Sequence, residues 1–320
     1  MELGERGYPR GGRHHEGQGE GCSARPGKRL AVIGAGALGL SLIKGLIRAG
    51  CYEPQAIVAS DPDEERRQAA AEVAGLTVTA KNREATQAAG IVVVAVKPQV
   101  LPGVLREIGP SFGPDKLLIS VAAGVELAAL EAFVPEGTPV VRAMPNVAIQ
   151  VGEAATALAA GRWAKEEHLA AARELFGAVG RVITLPEALF HAVTALSGSG
   201  PAYVFLFLEA MADGGVSAGL PRSVAETLAA QTLFGAAKLA LETGQAPALL
   251  RAMVMSPAGT TASGLRALEL RGVRGAVIDA VLEAAKRSCE LAASGTRASG
   301  PDSAGETPSG PGPTGKPGAR

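Results

Sequence analysis

Two glycine-punctuated turns carry residue types suited to chemistry, and each opens a helix-periodic stretch. The first is Gly34-Ala35-Gly36-Ala37-Leu38-Gly39, with G-x-G-x-x-G spacing. In that spacing Gly34 permits a tight turn, Gly36 lets the backbone approach a pyrophosphate, and Gly39 lets helix and strand pack closely. A helix starting there presents unpaired N–H groups and a partial positive charge to an anion. The plainer reading is a simple glycine turn, but strand, helix and a downstream acid all fall in place around it. The second turn is Ser256-Pro257-Ala258-Gly259-Thr260-Thr261. Hydroxyls and open amides cluster there at a helix start, so the same physics makes it a carboxylate site. An ordinary Ser/Thr cap is its alternative.

Other polar residues are less specific. Asp61 follows the second expected strand, where an acid accepts from the ribose hydroxyls of NAD and repels a 2′-phosphate. Alternatively, Asp61-Pro62 caps the next helix, while Ser60 and Asn82 serve a phosphate and Arg66 or Arg67 swings in. Lys97 follows a buried strand and either neutralises a cofactor or carboxylate or is simply solvated. Leu196-Ser197-Gly198-Ser199-Gly200-Pro201 is either a helix break or a grip for a small polar ligand. His191, between Phe190 and Ala192, reads as core-facing, with no Lys or Asp beside it. That absence matters. Oxidation of an alcohol needs a base to take the hydroxyl proton. Reduction of an already protonated C=N bond needs a hydride donor, a positioned electrophile and at most one hydroxyl hydrogen bond.

The elements that position these residues come in two blocks. From Leu30 the chain alternates strand and helix patterns, the signature of a parallel sheet covered on both faces. Strands are expected at Leu30–Ile33, Gln55–Ser60, Thr77–Thr79, Ile91–Val96, Leu117–Val121 and Val140–Arg142. A last strand–helix–strand set occupies Ala154 to Thr184, and Glu64–Ala74 and a segment from Pro98 are expected helices. In such sheets the strand C-termini line the ligand crevice, so Asp61, Lys97, Ala122 to Gly124 and Asn146 are crevice candidates. Beyond Pro186 the pattern is helical: Glu187–Leu196, Ala202–Ala218, Arg222–Thr243, Ala248–Met253, Thr261–Leu270 and Val273–Leu291. Arg222–Thr243 and Val273–Leu291 carry Ala and Leu on more than one face, which calls for subunit association.

Composition excludes several classes. The 320 residues are 47% apolar and 19% charged, enough for two domains of a globular protein. Aromatics at 3% offer no stacking platform for single-stranded nucleic acid. A net charge of +0 gives no electrostatic footprint for nucleic acid. Gly, Pro or charge interrupts the apolar runs short of a membrane span. Cys22, Cys51 and Cys289 show no ligand spacing and read as thiols of a reducing compartment. Residues 1–28 and 294–320 have little to bury and are expected to be disordered tails. Glu2, Glu5, Glu16 and Glu20 speak against a mitochondrial presequence, so the cytoplasm is expected. His14-His15 reads as part of a solvated tail, and no metal site is expected.

Taken together, IGAGALG, AVKP, VAAGV, the MPN at Met144, LSGSGPAY, DGGVSAGLPR and MSPAGTTASGL are similar in order and spacing to the pyrroline-5-carboxylate reductase family, from Arg29 to Leu291. The sequence resembles the shorter, cytosolic animal-type form most. The resemblance implies a Rossmann-type dinucleotide-binding domain (29–187), an all-α dimerisation domain (188–293), and homodimers built into decamers. It implies reduction of 1-pyrroline-5-carboxylate to L-proline with NADPH or NADH. Gly34, Ala35, Gly36, Ala37 and Leu38 match the family's pyrophosphate loop; Ser60 and Asn82 match positions at the adenosine ribose or its phosphate. Ala95, Lys97, Ala122 and Ala123 match the nicotinamide half. Thr261 matches the threonine facing the substrate ring nitrogen, and Ser256, Gly259 and Thr260 match the carboxylate loop. Ala258 stands where the family usually has glycine, Asp61 where many members are uncharged, and Gly39 where many have alanine, a change expected to be harmless. Two rivals remain. A β-hydroxyacid-dehydrogenase-like oxidoreductase would want a lysine within 187–196, which has none. A non-catalytic dinucleotide sensor would not need Thr260-Thr261.

Overall fold

The computed structural model describes residues 29–298; the expected tail 1–28, with Cys22 and His14-His15, and residues 299–320 lie outside the described residues. The N-terminal region is one sheet of eight strands in the order β3-β2-β1-β4-β5-β6-β7-β8. Its centre is β1 (Leu30–Ile33), flanked by β2 (Ile57–Ser60) and β4 (Ile91–Val94), both parallel to it. β3 (Thr77–Thr79) closes one edge. On the other side come β5 (Leu117–Ser120) and β6 (Val140–Met144), also parallel. β7 (Ala154–Ala160) is antiparallel to β6, and β8 (Gly180–Thr184) runs parallel to β7.

The apolar runs are continuous because both faces of the sheet are covered. Leu30, Val32, Ile91 and Val93 point into one core with Leu42, Ile43 and Leu46 of α1 (Ala37–Arg48) and Leu175 and Phe176 of α6 (Glu166–Gly177). Ala31, Ile33, Val92 and Val94 point into the other. There they meet Ala85 of α3 (Asn82–Gln87), Leu101 and Leu105 of α4 (Leu101–Ile108), and Leu127 and Leu130 of α5 (Leu127–Glu131). The remaining sheet-side helix, α2 (Glu64–Ala71), follows β2.

Several boundaries differ from expectation. Pro54–Ala56 is a 3₁₀ turn, so β2 starts at Ile57. α2 stops at Ala71 rather than Ala74, and α4 starts at Leu101 because Val100 and Leu101 fold their N–H groups back onto Lys97 O. β4 and β5 end one or two residues early, while β6 continues to Met144.

Glu187 opens the helical region. A 3₁₀ turn (Glu187–Leu189), α7 (Phe190–Val193), a π-turn (Thr194–Gly198) and α8 (Gly200–Ser217) follow one another with Ser199 as the only bend. The expected break at Gly198–Pro201 is therefore not a break. The resulting 31-residue rod is, by length and composition, long and apolar enough to cross a membrane, contrary to the expectation that Gly and Pro interrupt every such run. α9 (Arg222–Thr243) pairs with α8, while α10 (Pro247–Met253) and α11 (Thr260–Leu270) lead into α12 (Val273–Ala298), which packs on α7 and the π-turn. α12 passes through 294–298, so the expected C-terminal tail does not begin at 294.

The seam between the two regions is charged, its arginine buried and its glutamate half-buried. Arg142 of β6, 2% exposed, donates to Glu187 Oε1 at 2.8 Å and lies 4.7 Å over the Phe190 ring. The same Glu187 oxygen accepts from Leu127 N–H at 2.7 Å. Near the other end of α1, Cys51 is buried and disulfide-bonded, correcting its reading as a free thiol; Cys289 is free and exposed. Spacing along a chain does not report which Cβ atoms face each other.

Candidate active site

Strand ends β1, β2, β4, β5 and β6 bring the first group of candidates to one edge of the sheet. Strand order reverses between β1 and β4, which is where such sheets open their crevice. Gly34 turns there with φ +103° and donates its N–H to Ser60 O at 2.7 Å. A Cβ on Gly39 would lie 2.0 Å from Gly34 O, so alanine is not harmless on this backbone. Gly36 is different: a Cβ there would meet nothing within 4 Å. Among the described residues nothing requires glycine at 36, and the open space suits close approach of a pyrophosphate. Gly36 is also the N-cap of α1, without a side-chain cap and with no acid in the first turn. The first helical bond is Leu40 N–H to Gly36 O, so Ala37, Leu38 and Gly39 present N–H groups ahead of it. The residues present fit the diphosphate of a dinucleotide.

At β2 the geometry resolves the choice left for Asp61. The residue is 2% exposed; Oδ2 accepts from Ala35 N–H at 2.9 Å and Oδ1 from Asp63 N–H at 3.0 Å. Arg66 Nη1 stands 3.6 Å from Oδ2. In this structure the carboxylate holds the backbone of the glycine loop, and its charge is paired with Arg66. It does not cap α2, since Asp63 is the N-cap and accepts from Arg66 N–H. Arg67 donates to the carbonyls of Asp61 and Pro62. Ser60 and Asn82 are brought together, Ser60 Oγ donating to Asn82 Oδ1 at 2.7 Å, and Asn82 Nδ2 donates to Glu107.

Along the same edge Ala95 is half-buried, its N–H donating to Ile33 O at 2.7 Å, and Lys97 is exposed in the turn before α4. Ala122 is buried, its N–H reaching Ser120 Oγ at 3.3 Å, whereas Ala123 is exposed. Lys116 sits at the opposite edge, where burial pushes its ammonium below the usual lysine range. Among the described residues no group of three His, Cys, Asp or Glu is placed to hold a metal.

The second turn lies in the helical region. Gly259 donates its N–H to Ser256 O at 3.1 Å, and a Cβ on it would fall 2.2 Å from Ser256 Oγ. Ala258 is the only non-glycine residue with positive φ among the described residues, at +55°. That is the left-handed conformation glycine adopts without strain. Gly259 is the N-cap of α11, again without a side-chain cap and with no acid in the first turn. Ser256, Ala258 and Thr260 are exposed and Thr261 is half-buried. α11 packs mainly on α12, not on the sheet. His191 is fixed by Ser288, Nδ1 to Oγ at 3.0 Å.

Sequence reasoning placed Asn146 at the crevice but missed its partner. Its Oδ1 accepts from the N–H groups of Ala148 and Ala155, and its Nδ2 donates to Ser197 O in the π-turn. The available signal was Pro201, discussed below.

Comparisons with known proteins cover both regions. Residues 29–124 match the family of NADP oxidoreductase, coenzyme F420-dependent, and residues 187–291 match pyrroline-5-carboxylate reductase dimerisation. The pyrroline-5-carboxylate reductase of Methanosarcina acetivorans is 48% identical over 264 residues, covering 82% of this chain and 98% of that protein. The pea enzyme is 44% identical, over 82% of this chain and 95% of its own. The reductase 3 of Macaca fascicularis stands at 42% over 82% and 96%, so the animal-type likeness expected above does not stand out. Among solved structures, the reductase of Coxiella burnetii superposes with a TM-score of 0.78 at 35% identity, over 82% of this chain and 98% of that one. That of Plasmodium falciparum with NADP bound gives 0.74 at 29% identity, over 83% and 98%. With a coenzyme loop and a dimerisation region matched in one chain, this protein belongs to the pyrroline-5-carboxylate reductase family.

Proposed function

We propose that the chain reduces the C=N bond of 1-pyrroline-5-carboxylate to give L-proline, using NADPH or NADH. The observation that carries this is the N-terminus of α11: an uncapped first turn behind Ser256–Gly259, with the Thr261 hydroxyl beside it. Bound NAD(P)H would supply the hydride for the imine carbon of the ring, while the protonated ring nitrogen takes up the electron pair of the C=N bond. The amides of Ala258, Thr260 and Thr261, aided by the helix dipole, hold the carboxylate, while Gly259 N–H closes the loop on Ser256 O. Ser256 and Thr260 add hydroxyls at the rim of that loop. Thr261 Oγ1 hydrogen-bonds the ring nitrogen and fixes which face of the ring is presented.

In this reading residues 29–187 hold the coenzyme and 188–293 form the dimerisation and substrate domain. The Gly34–Leu38 backbone takes the diphosphate, Ser60 and Asn82 the adenosine ribose or its phosphate, and Ala95, Lys97, Ala122 and Ala123 flank the nicotinamide. Because Arg66 neutralises Asp61, a 2′-phosphate meets no uncompensated anion there. α11 packs mainly on α12 and not on its own sheet, so the site is completed by a second copy within a dimer, and the dimers assemble into decamers. The apolar rod 187–217 then serves subunit contact, not a membrane. Cytoplasmic residence belongs to the same proposal and is checked by fractionation of the tagged full-length chain.

The test is a spectrophotometric assay of purified protein with 1-pyrroline-5-carboxylate and each coenzyme. Coenzyme oxidation that requires the imine and yields proline is expected. A chain that binds coenzyme but leaves the imine untouched refutes the reading.

A further inference from the structure

We infer that Asn146 is a positioning residue that holds the helical rod over the crevice, by supplying the hydrogen bond that Pro201 cannot. This rests on the reductase reading above. In an α-helix the carbonyl of residue 197 would accept from the N–H of residue 201. Residue 201 is proline and has none. The next amide does not substitute, since Ala202 N–H donates to Ser199 O at 3.0 Å. The backbone adjusts by a π-turn over Thr194–Gly198, closed by Ser199 N–H to Thr194 O at 2.8 Å. Ser197 O is left to an outside donor, and Asn146 Nδ2 reaches it at 3.1 Å.

The orientation of that amide is fixed by its other contacts. Oδ1 faces two N–H donors, Ala148 and Ala155, each at 3.3 Å, so Nδ2 must point at the carbonyl. Asn146 itself stands two residues past the end of β6, on the edge that carries the coenzyme loop. Beside it Met144 Cε lies where a Cβ on Gly198 would be 2.9 Å away, so the rod sits close against this strand end. One side chain therefore ties the irregular turn of the rod to the C-terminal edge of the sheet. The π-turn is not a defect in this account; π-turns recur where a helix serves a function.

A double-mutant cycle tests it. Asn146→Asp keeps an acceptor for Ala148 and Ala155 but replaces the donor facing Ser197 O with an anion. It should lower kcat about ten- to hundredfold, the cost of misplacing a catalytic surface, while the coenzyme KM moves less than about threefold. Pro201→Ala returns an N–H to Ser197 O and should change kcat less than about twofold. In that background Asn146→Asp should cost at most about threefold, because the carbonyl has its own donor. Equal losses in both backgrounds overturn the proposal. So does a fall in thermal midpoint for Asn146→Asp with kcat unchanged, which would leave only a structural role. If the parent chain does not reduce the imine, the reductase reading fails; the thermal midpoints of the same four proteins then still decide whether Asn146 and Pro201 are coupled.

Discussion

The sheet region and the helical region solve the burial problem differently. In the sheet region every residue of β1, β2, β4, β5 and β6 is buried, and two cores lie against its faces. Among the described residues of the helical region the only separate core is Ala212, Ala225 and Ala229 with two partly buried neighbours. Phe205 is 62% exposed, Leu206 65% and Leu270 76%. Contiguous apolar surface of that kind marks an interaction site. One region completes its core within the chain; the other completes it only against another copy. The uncapped helix ends divide the same way, α1 over a finished sheet and α11 in a region still lacking its neighbour.

Four substitutions would break or sharpen that contrast. The largest effect is expected from Phe205→Glu. A charge in the centre of an apolar subunit contact costs about 2–4 kcal/mol per residue, and symmetry applies it twice. Sedimentation should show monomer, and kcat/KM should fall more than about a hundredfold. Coenzyme affinity of the sheet region should stay within about threefold. A fully active Phe205→Glu dimer would mean that this face is not the contact.

Thr261→Ala comes next. Loss of a hydrogen bond to a charged ring nitrogen is worth about 1.5–3 kcal/mol, a ten- to hundredfold fall in kcat/KM. Coenzyme affinity should hardly move, and Thr261→Ser should recover most of the activity. Near-wild-type turnover of Thr261→Ala would reduce the residue to part of a helix start. Asp61→Ser probes the other region. It removes the acceptor of Ala35 N–H and the partner of Arg66, so both coenzymes should bind roughly tenfold more weakly. A selective gain for NADPH would show instead that Asp61 faces the ribose. The smallest effect is expected from Ala258→Gly. Relief of a left-handed alanine gives about 1 kcal/mol, partly offset by the added freedom of glycine in the unfolded chain. The thermal midpoint should rise by no more than about 2 °C, and kcat/KM should change less than about threefold.

What could be read in the sequence follows from how local each feature is. Ile91–Val94 is a buried strand because four β-branched residues in a row have few other places to go. The glycine loop and the start of α11 were legible for the same reason, since turn and cap chemistry lie within a few residues. Asp61 was legible as an acid at a strand end but not in its aim, because its Ala35 partner lies 26 residues away. Gly39 looked exchangeable until Gly34 O was seen to occupy the space of a Cβ. Gly198–Pro201 read as a break because local propensity counts a missing hydrogen bond as lost. The bond is supplied from Asn146, 51 residues earlier.

The ion pair of buried Arg142 with half-buried Glu187 bears on how the chain acquires its shape. The guanidinium of buried Arg142 in β6 has its carboxylate on the first residue of the helical rod. An intermediate with the sheet formed and the rod undocked would strip that cation of both its carboxylate and the Phe190 ring that covers it, so pairing and burial are gained together on docking. Sheet closure and rod docking are thereby coupled into one cooperative step, even though the rod waits for another copy to cover its outer face. Autonomous refolding of a fragment ending before Glu187 is correspondingly penalised. The start of the helical region thus belongs, in folding terms, to the sheet.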